Sequence, residues 1–205
     1  MQNNNDTYKT VLKPSKEILL KEKKSKFIGY VFPITTEKDI KPIIENLRKK
    51  HHTANHVCYA WQLGVTQPIY RANDDGEPNN SAGMPIYGQI KSFNITNVLV
   101  AIVRIFGGTK LGVGGLISAY RNSAEIALKE ATIVEKIILD TYKVSFNYKE
   151  IDKVMRIIKQ HQLKINVQKM EMKCSIQFSV RQKDSEKVES IFKTHHEITI
   201  RKMNS

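Results

Sequence analysis

Residues 97–120, NVLVAIVRIFGGTKLGVGGLISAY, decide how this chain is read. The first ten residues are almost continuously apolar, the pattern of a central strand buried on both faces. Arg104, near the end of that run, is a conspicuous charge. A loop follows in which Gly107, Gly108, Gly112, Gly114 and Gly115 crowd together, and then a helical repeat through Leu116, Tyr120, Ala124, Ala127 and Leu128. Strand, glycine loop and helix N-terminus form a setting where free backbone N–H groups and the helix dipole favour an anion. Thr109 and Lys110 add a hydroxyl and a cation. The spacing matches neither a P-loop nor a dinucleotide fingerprint. Two readings stay open: the glycines cradle a phosphate, or they serve positive φ and tight helix packing.

Toward the N-terminus, TYKTVL, EILL and KFIGYVFPI read as extended segments, the last two joined by a lysine-rich turn carrying Lys21, Lys23, Lys24 and Lys26. TTEKDIKPIIENLRKKHH predicts a helix, with Thr35 or Thr36 as N-cap, an Ile40, Ile43, Ile44, Leu47 stripe and a basic last turn. HVCYAWQL, residues 56–63, predicts a strand, and RANDDGEPNNSAG, residues 71–83, a polar loop. After residue 136 the pattern becomes strand, helix, two strands, helix, strand, the βαββαβ order of a ferredoxin-like unit. The expected architecture is therefore α+β in two domains, 1–136 and 137–205.

The 205 residues include 33 Lys and Arg against 20 Asp and Glu, a formal charge of +13 that both halves share. Such a surplus favours polyanionic partners. Residues 72–90 hold no Lys or Arg, so the surface should pair a cationic face across both domains with an acidic, turn-rich patch. No stretch approaches the roughly 20 apolar residues of a membrane span, and the start, MQNNNDTYKT, lacks the apolar run of a secretory signal. The sequence predicts a cytoplasmic protein with no membrane partner. Cys58 and Cys174 are expected to be reduced, buried and unpaired.

Asp74, Asp75 and Glu77 form the dense carboxylate cluster of this basic chain, readable as turn chemistry or as acid/base or metal-binding groups. His56 and Cys58 would face one side of their strand, yet no orienting acid is evident, and no four-ligand metal set can be assembled. Phe27, Tyr30, Tyr59, Trp61 and Tyr70 could stack on bases or pack a core. Neither a catalytic residue, a metal nor a cofactor is predicted.

On the blocks HHTANHVCYAWQLG, RANDDGEPNNSAGMPI and NVLVAIVRIFGGTKLGVGGLISAY, with SKFIGYVFPI before them, the chain resembles the IMPACT/YigZ family. The resemblance implies a first domain like the second domain of a small-subunit ribosomal protein, and a pair of domains like the last two of elongation factor G. It implies a link to translation, which eukaryotic members regulate through a starvation-sensing partner; no reaction comes with it. His56, Asp75, Glu77, Arg104, Gly107, Gly108, Lys110, Gly112, Gly114 and Gly115 occupy signature positions, while Asn79, Asn80, Met84 and Arg121 depart from the usual Ser, Gly, Arg and Gly.

The leading expectation is a non-catalytic RNA- or ribosome-associated protein that holds phosphates through Lys23, Lys24, Lys26, Arg104, Lys110 and Arg121. A second is an enzyme or small-molecule binder that takes a phosphorylated ligand at residues 107–115, with His56, Asp75 and Glu77 in the same cleft. A third is a protein-docking module built on the C-terminal domain.

Overall fold

The computed structural model describes residues 6–203. The chain divides into two compact units, one spanning Tyr8–Lys136 and the other joining Asp6 and Thr7 to the chain from Ile137 onward. Both are α+β.

In the first unit, strands β2 (Ile18–Glu22), β3 (Ser25–Pro33), β4 (His56–Leu63), β5 (Ile69–Asn73) and β6 (Val98–Ile105) form an antiparallel sheet in the order β2-β3-β6-β4-β5. β6 lies at its centre and is buried from Val98 to Arg104, which is what a nearly unbroken apolar run requires. Helix α1 (Ile40–Lys50) covers one face, setting Ile40, Ile44 and Leu47 against Val57, Trp61, Leu99 and Val103. Helices α2 (Gly83–Ser92) and α3 (Gly112–Glu130) cover the other, with Ile86, Ile90, Leu116, Tyr120 and Ala124 packed on Phe27, Cys58, Val100 and Ile102. The alternation of side chains along a strand thus sends Phe27, His56, Cys58 and Arg104 toward α2 and α3. A separate two-stranded sheet pairs β1 (Thr7–Val11) with β7 (Ile133–Ile137).

Two sequence expectations change here. Arg71–Asn73, read as the start of a loop, belong to β5, because they pair with Trp61–Tyr59 of β4. Helix α2 had no sequence signal, since Pro85 and Gly88 interrupt it; Pro85 is tolerated because the first helical turn has no use for its missing N–H.

In the second unit, β8 (Leu139–Asn147), β9 (Lys164–Lys169), β10 (Lys173–Arg181) and β11 (Thr199–Lys202) form an antiparallel sheet in the order β11-β8-β10-β9. Helices α4 (Ile151–Gln160) and α5 (Ser185–Lys193) bury Val154, Ile157, Ile158, Val188 and Phe192 against Tyr142, Val144, Ile176 and Phe178. This is the ferredoxin-like arrangement. Asp6 is tied in by Arg181, whose Nε and Nη2 donate to its carboxylate at 2.8 and 3.0 Å. Cys58 and Cys174 are free thiols, each buried in its own unit.

Candidate functional site

The buried charge of β6 organises one end of the first unit. Arg104 is paired in register with Phe27 on β3 and His56 on β4, so all three side chains leave the sheet in one row. Arg104 Nη1 donates to Glu77 Oε1 at 2.6 Å, and Tyr120 Oη of α3 donates to the same oxygen at 2.7 Å. The guanidinium carbon lies over the rings of both Phe27 and Phe106, 5.6 Å from each centroid. Glu77 is thereby the counter-charge that a buried arginine requires.

The loop carrying Glu77 is shaped by its own acids. Asp74 accepts the backbone N–H groups of Asn80, Ala82 and Gly83 at 2.8–3.0 Å and so secures the start of α2. Asp75 accepts the Val57 N–H at 2.6 Å and pairs with Arg48. His56 Nδ1 donates to the Asp75 carbonyl at 2.8 Å, leaving Nε2 as the ring nitrogen 3.9 Å from Glu77 Oε1. Cys58 Sγ is 3.0 Å from the Asp74 carbonyl and 3.3 Å from Tyr120 Oη. Burial pushes the Cys58 thiol and the Tyr120 hydroxyl well above their usual pKa values, so both stay protonated.

Of these groups His56, Glu77 and Arg104 open onto a cavity of about 460 Å³, whose wall also includes Phe106, Lys110 and Val113. The N-terminus of α3 reaches it through Gly112 and Val113. No side chain caps this helix, and its first turn contains no acid. Gly112 has φ +73°, a value that favours glycine, and Gly107 packs on the backbone of Lys24 so closely that a Cβ would overlap its carbonyl atoms. Gly108, Thr109 and Lys110 complete the exposed loop, while Gly114 and Gly115 lie inside the first turns of α3. Among the described residues no group of three or more His, Cys, Asp or Glu side chains is arranged to hold a metal.

The contact of Gly107 with Lys24 joins the glycine loop to the β2–β3 hairpin. Lys23 and Lys24 are its two turn residues, with φ of 43° and 67°. Both are exposed, and both sit in the left-handed region where Asn-Gly is the usual choice for this turn. Lys26 is exposed too but points to the α1 side of the sheet, by alternation with Phe27. Arg121 is exposed on α3, nine residues beyond Gly112 and so about 13 Å along the helix axis from the start of the helix. Arg104, grouped on sequence with these surface cations, is not one of them: its side chain is 7% exposed and engaged with Glu77. Phe27, Tyr30 and Trp61 are core residues, and Tyr70 stacks on Tyr87.

The second unit carries cations that sequence reasoning did not single out. On its sheet, Tyr142, Val144, Ile176 and Phe178 face the helices, so Lys143, Lys173 and Arg181 point to the opposite face. Pairing adds Arg201 opposite Lys143, Lys164 opposite Ser179 and Lys169 opposite Ser175. Thr141, Ser145, Ser175, Gln177 and Ser179 fill the space between, and no Asp or Glu occupies a strand position on this face. Apart from Arg181, bound to Asp6, these cations form no ion pair among the described residues. The periodicity of the strands alone could have revealed this face.

Comparison with known proteins adds to this geometry. Residues 23–128 match the family described as the Impact N-terminal domain. The chain is similar to IMPACT family member YvyE of Bacillus subtilis, 34% identical over 68% of this chain and 64% of that protein's length. It is also similar to IMPACT family member YigZ of Escherichia coli, 31% identical over 67% of this chain and 69% of that protein. A crystal structure described only as that of a hypothetical protein covers 98% of both chains with a TM-score of 0.72 at 22% identity, a likeness of fold. The structure of the two-domain translational regulator Yih1 aligns with 58% of this chain and 46% of that one at 24% identity, with a TM-score of 0.39, too loose to bear on the fold.

Proposed function

Because the chain belongs to the Impact N-terminal domain family, we propose that it acts in translation as a non-catalytic RNA-binding protein that grips the phosphate backbone of structured RNA. The observation that carries this reading is the cationic face of the second unit's sheet, where no strand position holds an Asp or Glu and Lys143, Lys164, Lys169, Lys173 and Arg201 are set mainly among hydroxyl and amide side chains. Unpaired cations spread over a sheet suit phosphates, each contact releasing counterions. The face offers no aromatic residue for base stacking, so the contact is with backbone and not with sequence. In the first unit, the exposed Lys23, Lys24 and Lys110 around the glycine loop supply a second set of phosphate contacts.

The test is a fluorescence-anisotropy titration of the protein with a structured RNA across a salt series. Affinity is expected to fall steeply with salt, and Lys143→Glu with Arg201→Glu is expected to reduce the slope of log affinity against log salt by about 2. Absence of binding at low salt, or a slope that the double variant leaves unchanged, overturns the reading. Co-sedimentation with ribosomal particles then asks whether the RNA is ribosomal.

A further inference from the structure

The cavity beside Arg104 is a built polar site of which the RNA-binding reading uses only Lys110. Its charges are incompletely matched. Arg104 gives Nη1 to Glu77, while its Nε is enclosed without a hydrogen-bond partner. Glu77 concentrates both of its bonds on Oε1, leaving Oε2 without a partner among the described residues. His56 is fixed through Nδ1 and turns Nε2 toward Glu77. Lys110 stands at the wall, and the uncapped start of α3 brings free N–H groups and the positive end of the helix dipole to the same space. The remaining wall is apolar, formed by Pro78, Phe106, Leu111, Val113 and Leu116.

Nε is sealed inside the fold, but Arg104 also lines the cavity, and an anion there would add to the single bond that its guanidinium makes to Glu77. Positive groups outnumber the single carboxylate on the cavity wall, which favours an anionic head group over a cation. Glu77 Oε2 adds an acceptor site that a bare phosphate ion, an acceptor at most of its oxygens, would not use well. The volume of about 460 Å³ is that of a site for a small organic molecule and far exceeds one phosphate.

The geometry points to a binding site for a small organic phosphomonoester that also carries a hydroxyl or amino group. Its phosphate lies at the start of α3 near Lys110 and Arg104. Its hydroxyl or amino group donates to Glu77, and its carbon skeleton lies against Phe106 and Val113. The ligand is recognised as a phosphate with a donor-bearing body, the shared chemistry of nucleotides and sugar phosphates.

The experiment is a thermal-shift and calorimetric comparison of AMP, ribose 5-phosphate and inorganic phosphate on the full chain. At least one of the two phosphomonoesters is expected to raise Tm by several degrees at a concentration about 100-fold above its Kd, and to bind at least about tenfold tighter than inorganic phosphate. Val113 is 53% exposed, so Val113→Trp fills the cavity mouth without disturbing the core or any cation. It is expected to weaken phosphomonoester binding at least about tenfold while leaving the RNA salt slope unchanged, which separates this site from the RNA-binding reading. Should that variant not fold, amide NMR shifts of the wild-type chain on adding the phosphomonoester must centre on residues 107–116. No binding by either phosphomonoester, equal binding by inorganic phosphate, unaltered affinity in Val113→Trp, or shifts centred elsewhere overturns the proposal.

Discussion

Arg104 and Glu77, 27 positions apart, meet at 2.6 Å with side chains only 7% and 4% exposed. The pair joins the central strand to the loop before α2, and Tyr120 adds α3 to the same carboxylate oxygen. Breaking such a pair from one side leaves a charge buried without its partner. Arg104→Met is therefore expected to cost about 3–5 kcal/mol, and a second change, Glu77→Leu, to recover part of the loss. Urea unfolding followed by the fluorescence of Trp61, the sole tryptophan and a residue of the same unit, measures both.

The lysine hairpin trades stability for charge. Lys23 and Lys24 hold left-handed backbone that costs each about 1 kcal/mol relative to residues suited to it. Lys23→Asn with Lys24→Gly should stabilise the first unit by about 1 kcal/mol or more, while reducing the salt slope of RNA binding by about 2. A variant that is more stable and binds RNA unchanged would remove the hairpin from the RNA surface.

Two glycines are expected to respond in opposite directions to alanine. At Gly107 the new Cβ would overlap the carbonyl carbon and oxygen of Lys24, so Gly107→Ala should destabilise by about 2 kcal/mol or more as the glycine loop and hairpin are forced apart. At Gly88, inside α2, a Cβ has no atom within 4 Å, so Gly88→Ala should stabilise by up to about 1 kcal/mol. Paired denaturation curves decide both.

The entry to α1 carries a pH dependence. Asp39 accepts the backbone N–H groups of Thr35 and Thr36 at 2.7 and 2.9 Å, and these bonds hold its carboxyl down at about 2, against 3.8 unperturbed. A lowered folded-state value means that the ionised group stabilises the fold above pH 3.8 and that the contribution fades as pH falls toward 2. Asp39→Asn should therefore be less stable than the parent at pH 7, with the difference shrinking between pH 4 and pH 2 as melting curves are compared.

Elements with strong local patterns are legible in the amino-acid sequence itself. Residues 56–63 form β4 as expected, β6 and α3 flank the glycine loop, and the βαββαβ order holds through the second unit. Their apolar repeats reflect burial of one face or both, which a chain displays locally. Where a local signal is weak or contradictory, as at Pro85 and Gly88 in α2 or at the polar end of β5, contacts with β4 and α3 determine the outcome.

The candidate site followed a different rule. Residue types and positions on elements marked His56, Glu77, Arg104, Lys110 and the glycines as chemistry-bearing, and a charge inside an apolar strand already demanded a counter-charge. That Glu77 and not Asp75 provides it, and that Tyr120 shares it, depended on how the loop closes over the end of the sheet. By itself the sequence determined most of the α+β elements, the basic surplus and the family. Only the tertiary structure decided which cations are buried and which are free. Periodicity records the average burial of a face, whereas an ion pair or a cavity depends on distances between residues far apart in the chain.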